Sequence, residues 1–162
     1  VVMAFDAGQQ RKIMGHFATG VTVVTSGGPE PTGLTANSVT SLSLDPPLIL
    51  FALGKDAGSQ ASFRESNCFA MSILSADQQD ISNRFATPGP KDFSDLETNT
   101  AETGAPIIGG ALGWVDCQLS EIVEGGDHDI FIGEIVAGEL LQDGGEPLLY
   151  YAGGYRAIVP KD

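Results

Sequence analysis

Between Gly33 and Pro47 the chain reads GLTANSVTSLSLDPP, with small and hydroxylated residues (Thr35, Ala36, Asn37, Ser38, Thr40, Ser41, Ser43) crowded into a span flanked on both sides by apolar, strand-like runs. Such a segment hydrogen-bonds better than it packs. Short polar side chains let a backbone approach a ligand closely and offer donors and acceptors along it, as a flat, phosphate-bearing molecule would require. The same composition also describes an ordinary Ser/Thr-rich hairpin stopped by Pro46 and Pro47. The spacing alone leaves both readings open.

An anionic ligand needs cations, and the chain has eight Lys and Arg against twenty-one Asp and Glu, a net charge of -13. Lys55, Arg64 and Arg84 follow the polar stretch, either as ligand contacts or as solvated surface charge. Gly54 to Ser66 reads as a loop and short helix, with Asp56 or Ser59 as N-cap. Its N-terminus beside Lys55 is either an anion site or the start of a plain connecting helix.

Further on, Asp127-His128-Asp129 has the residue types of a metal site, but neighbours on a strand point to opposite faces, and the other histidine, His16, lies in the first helix. No metal site is expected. No GxGxxG follows a strand, and neither GxxxxGK[ST] nor GxSxG occurs, which removes the classical dinucleotide fold, the phosphate loop and the esterase elbow. Nor does any Ser, Cys or carboxylate pair stand out as a nucleophile or acid-base dyad. The chain reads as a binding protein, or as an enzyme whose chemistry is borrowed from a cofactor.

The elements that must position these residues are mostly strands. Asp6 to Ala18 predicts an amphipathic helix, with capping-box spacing at Asp6 and Gln9 and with Ile13, Met14 and Phe17 on one face. Val21 to Thr25 is a β-branched run ended by Gly27-Gly28-Pro29. Leu48 to Leu53 is continuously apolar and is expected to be the central strand. Cys68 to Leu74 predicts another strand, and Ser75 with Gln78 predicts a capped helix through Phe85. Ala86 to Ala105 reads as a long surface excursion. Val115 to Val123 alternates, and Asp129 to Leu141 is a long strand with Gly133 and Gly138 as bulge positions, as a barrel needs at its corners. Pro147 to Ala152 predicts a turn or short helix, and Tyr155 to Val159 a last strand.

At 162 residues the expectation is one domain, 1-162, able to bury a full core without metals or disulfides. Cys68 and Cys117 lack CxxC or Cys/His clustering and are expected to be buried free thiols, which fits a reducing cytoplasm. No apolar run is long enough to span a bilayer, no signal-peptide pattern opens the sequence, and the acidity argues against nucleic acid or an anionic membrane as partner.

Taken together, FATGVTVVT (Phe17 to Thr25), GLTANSVTSLSLDPPLILF (Gly33 to Phe51), NCFAMSIL (Asn67 to Leu74), SNRFA (Ser82 to Ala86), GDHDIFIGEI (Gly126 to Ile135) and PLLYYAGGYR (Pro147 to Arg156) resemble the flavin reductase-like family in order and over nearly the whole chain. The resemblance implies a mainly β fold, the FMN-binding split barrel, a Greek-key β-barrel with accessory helices. It implies a homodimeric NAD(P)H:flavin oxidoreductase that passes a hydride from NADH or NADPH to FMN or FAD and supplies a flavin-dependent monooxygenase. The alternative on the same fold is an electron-transfer protein holding FMN tightly.

Carried over by position, the resemblance implies that Thr35, Ala36, Asn37 and Ser38, then Ser41 and Leu42, line the flavin, largely through backbone groups. It places Lys55 and Ser59 near the flavin phosphate, Arg84 and Phe85 in a second flavin-contacting segment, and His128 beside the nicotinamide with Tyr155 near the same pocket. Where many relatives have serines before the residue matching Ser59, this chain has Asp56, Ala57 and Gly58, which removes hydroxyl donors and adds an anion.

Overall fold

The computed structural model describes residues 5 to 159. It opens with α1 (Ala7–Met14), where the Asp6 carboxylate accepts from the Gln9 N–H and the Gln9 side chain accepts from the Asp6 N–H, the reciprocal cap expected from the spacing. The helix stops at Met14, short of Ala18, so Phe17 lies beyond it. Then follow β1 (Thr19–Gly20), β2 (Thr22–Ser26), β3 (Gly33–Ala36), β4 (Val39–Leu44), β5 (Pro47–Gly54), α2 (Gln60–Ser66), β6 (Cys68–Ile73) and α3 (Gln79–Ala86). The second half holds β7 (Thr98–Asn99), β8 (Ile107–Ile108), β9 (Gly113–Gly125), β10 (His128–Leu140), β11 (Leu149–Tyr151) and β12 (Gly154–Arg156).

Seven strands form one antiparallel sheet in the order β3-β2-β6-β9-β10-β5-β4. Its two edges, β3 and β4, are neighbours in sequence, with Asn37 and Ser38 alone between them. In a flat sheet those edges would stand about 29 Å apart, at roughly 4.8 Å per strand. Two linking residues reach only about 10 Å. The sheet must therefore curl until its edges approach, and since β3 and β4 do not pair, the barrel is split along the polar stretch.

Inside the curl, alternate residues of β2, β3, β5, β6, β9 and β10, with Phe63 of α2, make a core of Val24, Ala36, Phe51, Leu53, Phe63, Phe69, Met71, Cys117 and Phe131. Phe51 and Phe131 are direct cross-strand partners with rings stacked 5.2 Å apart. Val23 points the other way, into a second core with Val21, Leu74, Phe85, Ile108 and Leu148 that seats α3 on the outer face of the sheet. The bulge expected at Gly133 is present, and a Cβ there would come within 2.5 Å of the Phe69 ring. The second offset falls between Ile135 and Ala137 rather than at Gly138.

Several expectations are corrected. Leu48 to Leu53 lies in β5, next to an edge, and β9 is the middle strand; a continuous apolar run does not tell a twice-covered strand from one with a half-open apolar face. Pro147 to Ala152 contributes β11, paired with β1 and β12, because a partner 130 residues away in sequence is invisible to local pattern. Ser75 does not cap α3. The Gln78 side chain accepts from the Ser75 N–H, but the Ser75 hydroxyl turns to Asp77 and the Gly110 carbonyl, and the helix starts only at Gln79. The excursion from Ala86 to Ala105 is irregular apart from β7, yet Phe93 and Leu96 tie it to the second core. Both cysteines are free and buried.

Candidate functional site

Two cavities open side by side along β3. The first, about 400 Å³, is walled by Thr35 and Asn37, by Ser82, Asn83 and Ala86 of α3, and by the β11–β12 hairpin through Tyr150, Gly153, Gly154 and Tyr155. The second, about 590 Å³, lies between Thr32 to Thr35 and Asp56 to Ser59, and extends over Phe85 to the loop from Thr87 to Lys91. Thr35 and Ala86 line both, so the two are halves of one groove that follows the edge strand.

The walls are fixed by specific contacts. The Thr35 hydroxyl donates to the Ser82 carbonyl at 2.6 Å, tying β3 to α3. A Cβ at position 33 would lie 2.8 Å from the Phe85 ring, so Gly33 is what lets helix and strand meet this closely. From the other side the Tyr155 hydroxyl reaches Asn83 Oδ1 at 3.0 Å and Ser82 Oγ at 2.8 Å, anchoring β12 on the same helix. Strand β3 pairs with β2 on one side only, which leaves part of its main chain facing outward, as at any sheet edge.

Of the residues singled out in the sequence, Thr35, Asn37, Ser59, Phe85 and Tyr155 line the groove. Ala36 is buried in β3, its carbonyl accepting from the Thr22 hydroxyl. Ser38 is tied to Ala52 by its carbonyl and its hydroxyl, fixing the corner between the two edges. Ser41 and Leu42 sit exposed on β4, at a register shift against β5, and line neither cavity.

Lys55, Arg64 and Arg84 each meet a carboxylate. Lys55 Nζ turns away from both cavities to Glu124 at 3.3 Å and Asp129 at 3.9 Å. Asp129 is almost fully buried and also accepts from Arg64 at 2.7 Å and Gln60 at 3.2 Å, so this cluster clamps the start of α2 to the β9–β10 hairpin. Arg84 makes a two-pronged contact with Asp95, at 2.6 and 2.9 Å, which holds the Asp95 carboxyl below the usual carboxylate range. His128 is half exposed at the β9–β10 turn, its Nδ1 2.7 Å from Asp127, and that hydrogen bond lowers the Asp127 pKa. It lines neither cavity and is not brought together with Tyr155 within one chain. No group of His, Cys, Asp and Glu suited to a metal occurs among the described residues.

Sequence reasoning missed Ser82, Asn83 and Lys91. Ser82 lies three residues before Phe85 and so on its face of the helix, a spacing that could have found it. Lys91, in the polar excursion, carried no such signal.

The family model described as "Flavin reductase like domain" matches residues 14–159. The chain belongs to the flavin reductase-like family. Among flavin reductase-like proteins, the NADH-dependent FAD reductase of Streptomyces globisporus is 41% identical over 160 residues, covering 96% of this chain and 87% of that protein. The reductase component of a 4-nitrophenol 4-monooxygenase/4-nitrocatechol 2-monooxygenase of Rhodococcus opacus is 37% identical, covering 99% and 85%. A solved structure of the Streptomyces globisporus NADH:FAD oxidoreductase SgcE6 with NAD and FAD fragments superposes with a TM-score of 0.90 at 41% identity, covering 96% of this chain and 94% of that one. The incompletely closed sheet agrees with a split-barrel fold, and the groove runs along one of its edges.

Proposed function

We propose that this chain is an NAD(P)H:flavin oxidoreductase that transfers a hydride from NADH to FMN or FAD and supplies the reduced flavin to a partner monooxygenase. The observation that carries the reading is the groove along β3, rich in hydroxyl, amide and glycine positions and lacking a nucleophile or acid-base pair, in a chain of this family. The lining suits a flavin: bare backbone at Gly58 and Gly153 permits close approach to a flat ring, and Thr35, Asn37, Ser82, Asn83 and Tyr155 supply polar partners.

Bound flavin supplies the redox chemistry by accepting the hydride of the nicotinamide. The protein's share is positioning and charge stabilisation. Outward main-chain N–H groups of β3 are placed to stabilise negative charge on a ring lying against it. Thr35 and Tyr155 hold α3 so that the cleft keeps its width. His128, held by Asp127 and outside both cavities, is assigned to the nicotinamide on the family resemblance, as a positioning group rather than a required proton donor.

The exposed apolar residues Phe5, Ile13, Met14 and Phe17 support the homodimer expected for the chain acting as one unit, and the free buried thiols support a cytoplasmic setting. The test is steady-state NADH oxidation by purified protein. Colourless protein that oxidises NADH only when FMN or FAD is added supports the proposal; yellow protein inert toward NADH contradicts it and favours tightly bound FMN in electron transfer.

A further inference from the structure

We propose that Lys91, rather than Lys55, is the cation that receives the phosphate of the flavin nucleotide. The inference rests on the reading of the groove as a flavin site. Lys55, Arg64 and Arg84 are each committed to a carboxylate, at 3.3, 2.7 and 2.6 Å respectively. A cation already paired with a carboxylate has its charge partly offset and attracts a second anion less strongly. Lys91 has no carboxylate partner among the described residues. Its ammonium touches the carbonyls of Arg84 and Thr87, and it lines the second half of the groove. An ammonium carries three donors, so one remains unspent beside those two carbonyls.

The surroundings favour an anion there. Lys91 is half-buried, and that burial lowers its pKa, which means the charged form lacks solvation that a phosphate would restore. Across the cavity, Ser59 precedes α2 without capping it, leaving its hydroxyl available, and Thr32 adds a second hydroxyl. Asp56 stands on the same wall as Ser59 and repels phosphate, which directs the anion toward the Lys91 end. In a chain of net charge -13, a local cation is what would make this groove hospitable to a nucleotide.

The experiment compares FMN with riboflavin, which lacks the phosphate, as probes of wild type, Lys91→Gln, Lys91→Arg and Lys55→Gln. Binding is read by quenching of flavin fluorescence, so it does not depend on turnover of NADH. The expected result is a Kd ratio, riboflavin over FMN, that falls about tenfold or more in Lys91→Gln, is largely restored in Lys91→Arg and stays at the wild-type value in Lys55→Gln. An unchanged ratio in Lys91→Gln, a fall in Lys55→Gln instead, or a wild type that binds FMN no tighter than riboflavin overturns the assignment. Wild type that binds neither flavin overturns it together with the reading of the groove. Wild type that shows the Lys91 effect but never oxidises NADH supports this inference and contradicts only the reductase reading.

Discussion

Tyr155 and Thr35 reach α3 from opposite walls of the groove, and each spends its hydroxyl on that helix rather than on solvent. Tyr155→Phe should therefore cost about 1 kcal/mol of stability by denaturant melt and raise the KM for flavin more than it lowers turnover. His128 stands apart from this cluster. If it orients the nicotinamide, His128→Ala raises the KM for NADH by about tenfold, the effect of roughly one hydrogen bond; a large loss of turnover at unchanged KM would assign it to proton transfer instead. Cys117 is buried beside Asp116, and its thiol is pushed up to about 12 from an ordinary value near 9. A raised thiol pKa stabilises the fold below about pH 9 and loses that contribution as pH climbs toward 12. Denaturant midpoints should decline over that window in wild type and less in Cys117→Ala, whose own loss is a pH-independent cavity cost.

Among the elements, the β11–β12 hairpin and the bulge in β10 carry the sharpest local constraints. The hairpin turns through Ala152 and Gly153, both at positive φ, +49° and +78°, as a tight turn between twisted strands requires. Ala152 bears that conformation with a side chain, so Ala152→Gly should stabilise the hairpin, by at most about 1 kcal/mol in a thermal melt. Gly133 is the opposite case. Its missing Cβ leaves room for the Phe69 ring and Cys117, and Gly133→Ala should cost about 1 to 3 kcal/mol by forcing the core apart. These elements also mark where local pattern stopped informing. The strands of the sheet and the cap of α1 were legible because period, β-branching and cap spacing are local. The position of β5 in the sheet and the existence of β11 were not, because both depend on partners far along the chain.

At the scale of the molecule, the polar stretch from Gly33 to Pro47 contains both edges of the sheet and the corner that joins them. A segment too polar for a core strand is tolerable at an edge, and an edge is where a sheet leaves main chain free for a ligand. The sequence marked the stretch as unusually polar, and the topology gives the reason, while only its β3 part and Asn37 border the groove. The sequence did not disclose which cation serves the groove, because ion pairing is settled by side chains meeting from separate elements: Lys55 with Glu124, Arg84 with Asp95. The exposed apolar residues on and after α1 belong to the same scale, and light scattering should return twice the 16.9 kDa chain mass; a monomer at micromolar concentration would contradict the dimer.

The most direct measurement of the central claim is anaerobic mixing of protein and FMN or FAD with NADH, following the yellow absorbance of oxidised flavin. The account predicts bleaching that requires the protein and slows when the transferred position of NADH carries deuterium, as expected when hydride passes between two rings held in one groove. Flavin that stays yellow in the presence of folded protein and NADH would contradict it.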